Sequence, residues 1–263
     1  MSFTAKEVQT LRQLTGVGML DAKKALEATD GDMDAAVQYL RVHNKAAAAK
    51  RAGREAGEGA VAVVRNANVA AIVELRCETD FVAKSEEFVS LVDEIAAKVC
   101  ADGTDAVSQF DGHIEKLLTT LKENISIGRV YRLEAKDGEV VETYLHQQSG
   151  RGVNAVAVVV KGGSDEVAHE IAVHIAFAKP LYLTREDVPA SEVDAERKTV
   201  EEISRNEGKP EAALPKVIEG RLNGWFKERV LVEQSFVKDE KQTIQQFLGS
   251  ASIVSFAQVA IHG

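Results

Sequence analysis

A chain of 263 residues that is 45% hydrophobic can bury a substantial core, and its length suggests about two domains of ordinary size. Its net charge of −9 argues against a general nucleic-acid binder, whose surface must be basic to neutralise phosphates. No apolar run approaches the ~20 residues that span a bilayer, and Met1 to Glu7 passes into a charged amphipathic pattern unlike a secretory leader, so no membrane contact and a cytoplasmic location are expected.

Residues 4–42 read as three short helices. Thr4 and Glu7 have capping-box spacing, and Val8, Leu11 and Leu14 form the first apolar stripe. Gly16 and Gly18 break that helix; a second runs from about Met19 to Ala28 and stops near Asp30-Gly31. Asp32 can cap the third, with Met33, Val37 and Leu40 inward. The unit resembles a ubiquitin-associated (UBA) domain. Residues 43–58 form a polar, alanine-rich connector that carries a basic cluster, Lys45, Lys50, Arg51 and Arg54, read as a solvated helix or linker. Gly53, Gly57 and Gly59 then give way to β-branched residues, which marks a domain boundary.

Two strands are expected around the Asn66-Ala67-Asn68 turn, Val61 to Val64 and Val69 to Leu75. The second delivers Thr79-Asp80-Phe81-Val82 into a helix that contains Phe88, Leu91, Val92 and Ile95. Another helix, about Ile114 to Leu121, precedes strands at Ile127 to Glu134 and Val140 to His146, which the Asp137-Gly138 dipeptide suggests as a hairpin, and a third at Val153 to Val160. Ser164 caps the next helix. The strand, turn, helix order at Val156 to Ala178 echoes that at Ile72 to Ala97, suggesting two related subdomains of antiparallel sheet plus helix.

Two charged helical patterns, Ser191 to Asn206 and Glu211 to Val230, flank Gly208-Lys209-Pro210. Val193, Val200 and Ile203 would face Val217, Ile218 and Leu222 in an antiparallel hairpin. Thr243 to Leu248 reads as a short helix ended by Gly249. Ile253, Val254, Phe256, Val259 and Ile261 suggest a terminal strand that rejoins the second sheet, which makes the hairpin an insertion. The expected fold is therefore α+β: residues 1–52 a UBA-like three-helix domain and connector, 53–138 a first core subdomain, 139–183 with 231–263 a second, and 184–230 an inserted helical hairpin or coiled coil.

The chain has neither a phosphate-binding Gly-x-x-x-x-Gly-Lys-Ser/Thr loop nor a Gly-x-Gly-x-x-Gly turn after a strand, so it is not expected to hold a nucleotide itself. His169 and His174 lack zinc-ligand spacing and read as residues that finish a packed helix. Cys77 and Cys100 read as buried thiols, without Cys-x-x-Cys spacing. No Gly-x-Ser-x-Gly elbow is present, and a hydrolase would need turnover of a substrate with no partner present. Taken by itself, the loop after Leu75 has a plain explanation: Thr79 or Ser85 caps a helix, Asp80 complements its dipole, and Phe81 packs inward.

The run Glu74-Leu-Arg-Cys-Glu-Thr-Asp-Phe-Val-Ala-Lys84 nevertheless resembles a signature of bacterial elongation factor Ts. A second signature of that family matches independently at Leu11-Arg12, Thr15 to Asp21 and Lys23 to Leu26. The two occur in the family's order, and the likeness extends through the hairpin and Glu233 to Val237. The chain departs from the family's usual text at Arg76, where asparagine is common, at Ile125-Ser126-Ile127-Gly128-Arg129 in place of Ile-Asn-Ile-Arg-Arg, and after His146.

The resemblance implies a guanine nucleotide exchange factor with no chemical step of its own, which releases GDP from elongation factor Tu so that GTP can enter. It implies no cofactor on this chain: nucleotide and Mg²⁺ belong to the partner GTPase. Phe81 would wedge between helices of the partner's nucleotide domain while Asp80 disturbs the Mg²⁺ water shell and Thr79 and Val82 shape the loop. Arg12, Met19 and Leu20 would contact another helix of that domain, although Met19 and Leu20 also suit a core, and Ile125 and His146 would touch the partner elsewhere. The hairpin is a candidate for self-association, and direct nucleic-acid binding is not expected. The alternative is an adaptor that docks on ribosomes or binds a ubiquitin-like protein; it predicts that removing residues 1–52 abolishes partner binding while changes at Asp80 and Phe81 do not.

Overall fold

The computed structural model describes residues 3–51 and 53–261, with the backbone alone for residues 45–50. Helix α1 (Ala5–Thr15) starts at a reciprocal cap, in which the Glu7 N–H donates to Thr4 Oγ1 (3.3 Å) and the Thr4 N–H to Glu7 Oε2 (2.6 Å). It ends at Gly16, whose φ of 72° is the left-handed stop that glycine adopts without strain. Helix α2 (Met19–Ala28) follows, and Asp32 Oδ1 accepts the Ala35 N–H (2.9 Å) at the start of α3 (Met33–Arg51). Val8, Leu11, Val17, Ala22, Ala25, Leu26, Ala36 and Leu40 form the shared core.

Two expectations fail here. Leu14 is 68% exposed, because the position one heptad beyond Val8 is Thr15, half-buried with its hydroxyl bonded to the Leu11 carbonyl. Helix α3 also continues through most of the expected connector, since the alanine run favours helix and Gly53 is the first breaker. Arg51 at its end donates to the Leu118 carbonyl (3.2 Å); the side chains of Lys45 and Lys50 lie outside the described residues.

The centre of the molecule is a pair of antiparallel sheets, and the architecture is α+β. Strands β1 (Glu58–Asn66) and β2 (Val69–Cys77) are followed by the short helix α4 (Asp80–Ala83), the long α5 (Glu86–Asp102) and α6 (Asp111–Leu121), before β3 (Ser126–Glu134) completes the first sheet in the order β1-β2-β3. The second sheet joins β4 (Glu139–Gln148), β5 (Arg151–Lys161) and the terminal β8 (Ser252–Ala260), with α7 (Asp165–Ala178) beside it. Phe88, Leu91, Val92, Ile95 and Val99 of α5 cover the outer face of the first sheet, and Ile171 and Ile175 of α7 cover that of the second. The inner faces meet through Val61, Ile72, Val141, Ala155, Val159 and Val259. Each central strand is thus buried on both faces, which explains why β2 and β5 read as continuous apolar runs instead of alternating ones.

The Asp137-Gly138 turn forms, with the Glu139 N–H donating to the Lys136 carbonyl (2.9 Å) and Gly138 at φ 80°, yet its flanking strands do not pair. Strand β3 pairs with β2 and β4 with β5, so the turn carries the chain from one sheet to the other and the expected hairpin is corrected. The dipeptide sets a local reversal; each flanking strand takes the partner that lets it bury its inner face.

Helices α8 (Ala190–Asn206) and α9 (Leu214–Arg229) form the excursion between α7 and the last strands. Its two ends are bonded together: the Leu181 N–H donates to the Arg229 carbonyl and the Leu231 N–H to the Tyr182 carbonyl, both 2.8 Å. Val200, Leu214, Ile218, Leu222 and Phe226 are buried between the helices, with Val193 partly so. Ile203, expected inward, is 43% exposed, and Ser204 takes its place at four residues beyond Val200, its hydroxyl donating to the Val200 carbonyl (2.6 Å). A small ladder not anticipated from sequence, β6 (Ser235–Phe236) with β7 (Asp239–Thr243), leads to α10 (Ile244–Leu248), capped by Thr243. Of the two helical histidines only His174 is buried; His169 faces outward.

Candidate functional site

The Thr79 loop begins where β2 ends. Thr79 keeps extended backbone angles and its Oγ1 accepts the Val82 N–H (3.4 Å), so it caps the single turn α4. The Ser85 hydroxyl donates to the Val82 carbonyl (2.8 Å) and passes the chain into α5. Ala83 is buried and Val82 packs against the first core, which turns the opposite side of α4 outward. Phe81 lies on that side and is 83% exposed, so the inward-packing explanation of this aromatic is overturned. Asp80 stands next to it, its Oδ2 2.6 Å from Lys84 Nζ one turn on. The hydrogen bond from Lys84, with a smaller contribution from its charge, holds the Asp80 carboxyl below the ordinary carboxylate range.

The base of the loop is held by residues that periodicity and motif reading missed. Glu123 Oε2 accepts the N–H groups of Glu78 and Thr79, each at 3.0 Å, and its Oε1 accepts the Thr79 hydroxyl. Nothing in the local sequence marks this role, because donors and acceptor lie more than forty residues apart.

Of the other expected contacts, Arg12, Met19 and Leu20 are on the surface of the amino-terminal unit, the latter two 50% and 62% exposed. Their core explanation therefore falls. Asp21 beside them pairs with Lys122 (2.7 Å), the residue before Glu123. Ile125 is 3% exposed in the core of the first sheet and offers no exposed side chain for contact. His146 is exposed on β4, across from Asn154 and beside Tyr144, Val173 and Phe177, on the second sheet and apart from the Thr79 loop.

The departures at Arg76 and Gly128 form one local arrangement. A β-bulge sets Gly128 and Arg129 of β3 against Glu74 of β2. Arg129 grips the buried Glu74 carboxylate with Nε and Nη2, each 2.9 Å away, and reaches the Ala260 carbonyl of the other sheet, while Arg76 Nε lies 3.3 Å from Glu74. A Cβ at residue 128 would collide with the Glu74 carboxylate, so glycine there makes room for the cluster. Burial raises the Glu74 pKa, but the Arg129 hydrogen bonds and charge outweigh it and leave the carboxyl below its ordinary range.

Burial pushes the Cys77 thiol up to about 12 and Cys100 is buried too, as expected of inert cysteines. Among the described residues no group of three or more His, Cys, Asp or Glu could hold a metal ion, and no helix is long and apolar enough to cross a membrane. The exposed aromatic, its carboxylate neighbour and the clamped backbone beneath them suit insertion into another macromolecule better than turnover of a small substrate.

A family model described as elongation factor TS matches residues 78–262. A protein named elongation factor Ts from Clavibacter michiganensis subsp. michiganensis is 44% identical, with 99% of this chain and 98% of the relative covered. One of the same name from Micrococcus luteus is 41% identical with 99% of both covered, and one from Mycobacterium ulcerans is 44% identical over 96% of this chain and 94% of the relative.

Proposed function

The chain belongs to the elongation factor Ts family of translation elongation factors, and from that premise we propose that it is the guanine nucleotide exchange factor of elongation factor Tu. The observation that carries the reading is Phe81, an aromatic left 83% exposed at the tip of a capped and clamped turn. A large apolar group held out in water on fixed backbone costs hydration free energy unless a partner covers it.

A GTPase grips GDP through backbone N–H groups, a lysine and a hydrated Mg²⁺ on the phosphates, so release requires a state in which those contacts are weakened. Phe81 enters between helices of the partner's nucleotide domain, and Asp80 is brought beside the Mg²⁺ water shell as an ionised carboxylate. This chain contributes shape and charge, with no bond made or broken and with nucleotide and metal on the partner. Arg12, Met19 and Leu20, on the UBA-like amino-terminal unit, make a second contact with that domain. Because coupling is reciprocal, the factor by which this chain weakens GDP binding equals the factor by which GDP weakens its own binding. The expected setting is the cytoplasm.

The test is release of a fluorescent GDP from elongation factor Tu at fixed Mg²⁺, with wild-type protein, Phe81→Ala and Asp80→Ala in parallel. Strong acceleration by the wild type that falls sharply in both variants supports the reading. No acceleration by folded wild-type protein sinks it and brings the adaptor function forward.

A further inference from the structure

We propose that Glu123 is a positioning residue for exchange: its carboxylate replaces the missing end of a β-ladder and fixes the base from which Phe81 projects. The inference rests on the exchange-factor reading of that loop. The β2–β3 register ends at Arg76 opposite Ser126, so Glu78 and Thr79 have left the ladder, as have Glu123 and Asn124 on the other side. Backbone groups at such a point need other partners. Two carboxylates supply them in opposite directions. Glu123 accepts from the N–H groups of Glu78 and Thr79 (3.0 Å each), and Glu78 Oε1 accepts the Asn124 N–H (2.6 Å).

The second oxygen of Glu123 accepts the Thr79 hydroxyl proton, which leaves an oxygen lone pair of that hydroxyl for the Val82 N–H. Glu123 therefore orients the very group that caps α4, and α4 sets the direction of Phe81. The same segment is tied down on its far side. Lys122, at φ 61° where α6 stops, pairs with Asp21 of the amino-terminal unit, and the Asn124 side-chain amide donates to the Arg54 carbonyl (2.8 Å). One three-residue stretch thus meets both the Phe81 loop and the unit that displays Met19 and Leu20. A wedge opens a partner only if its base yields less than the partner does, so holding the loop in advance raises the share of contact energy delivered to the nucleotide site.

Two measurements decide this, made on the full chain. Amide hydrogen exchange of the isolated protein should speed up at Glu78 and Thr79 in Glu123→Ala while the α5 amides keep wild-type protection. The saturating rate of fluorescent GDP release from elongation factor Tu should fall about tenfold in Glu123→Ala and about threefold in Glu123→Gln, which keeps one acceptor oxygen. Combining Glu123→Ala with Phe81→Ala should cost clearly less than the product of the two single losses, the non-additivity expected of groups that act through one another. A residue that acts on exchange independently of the Phe81 loop would instead multiply the two losses, and that result overturns the proposal. So do wild-type release rates in Glu123→Ala, or unchanged Glu78 and Thr79 amide exchange. Where Glu123→Ala does not fold, Glu123→Gln carries the same two readouts, and wild-type values in both overturn the proposal. Wild-type protein that fails to accelerate GDP release overturns the exchange reading and with it a role in exchange, and the amide data then decide separately whether Glu123 holds the loop.

Discussion

Nε2 of His174, on a ring with no exposed surface, lies 3.0 Å from Oε1 of Gln234, and the Val237 N–H points at the other ring nitrogen at 3.4 Å. Nδ1 is thus an acceptor and the single proton sits on Nε2. Gln234 spends its own amide on the carbonyls of Ala178 and Glu228, so these two side chains join α7 to the ends of the α8–α9 excursion.

Burial lowers the His174 pKa below its ordinary value, with the Gln234 bond opposing in part. The unfolded chain therefore takes up a proton first as pH falls below about 6.5, and stability that is complete above that value is lost as pH descends through the folded pKa. Urea denaturation between pH 7.5 and 5 should show this loss, limited to about 1.4 kcal/mol per pH unit for the one proton. In His174→Gln the slope over that window should flatten.

Phe81→Ala should leave the protein as stable as the wild type to within about 0.5 kcal/mol, since the ring is 83% exposed and caps nothing. A thermal melt checks it. A drop of several degrees would place the ring in the protein's own packing and remove the reason to regard it as a wedge.

Met19→Ser with Leu20→Ser should weaken binding to nucleotide-free elongation factor Tu by about tenfold or more, as expected for truncating apolar contacts of a partner surface. Both residues are half-exposed or more, so the folded amino-terminal unit should persist by circular dichroism. Isothermal titration with unchanged affinity would remove this unit from the contact.

Glu74→Gln should destabilise the protein by about 2 kcal/mol, below the usual cost of breaking a buried ion pair because Arg129 retains access to water. Since the Glu74 pKa is lowered on folding, its contribution is present above the ordinary carboxylate value of about 4.3 and fades as pH drops through the folded one. Denaturant midpoints at pH 7 and pH 3.5 should differ less for the variant than for the wild type.

The helix boundaries that sequence reading anticipated are those whose signals lie within one helical turn. Thr4 with Glu7, Gly16, Asp32, Ser164 and Thr243 each mark a boundary through a bond spanning three or four residues, and each boundary stands where it was expected, whereas the choice between Thr79 and Ser85 resolves into two helices, one headed by each. Leu14 and Ile203 show the margin of error: a one-residue choice between neighbouring helix positions rotates a side chain by about 100°, enough to move it from core to solvent. The loop motif was legible as text, but its own residues were compatible with Phe81 facing either way.

What the amino-acid order determined by itself was where segments start and stop, which stretches are apolar, and the family to which the loop signatures point. Tertiary structure alone decided that β3 leaves the Asp137-Gly138 turn for β2, that Phe81 stands in water while Val82 and Ala83 face the core, and that Glu123 closes the loop from 44 residues away. The division has a physical cause. Caps and turns are settled by short-range hydrogen bonds and backbone sterics, whereas strand pairing and side-chain exposure follow from how much apolar surface the whole chain can bury at once, a quantity with no local reporter.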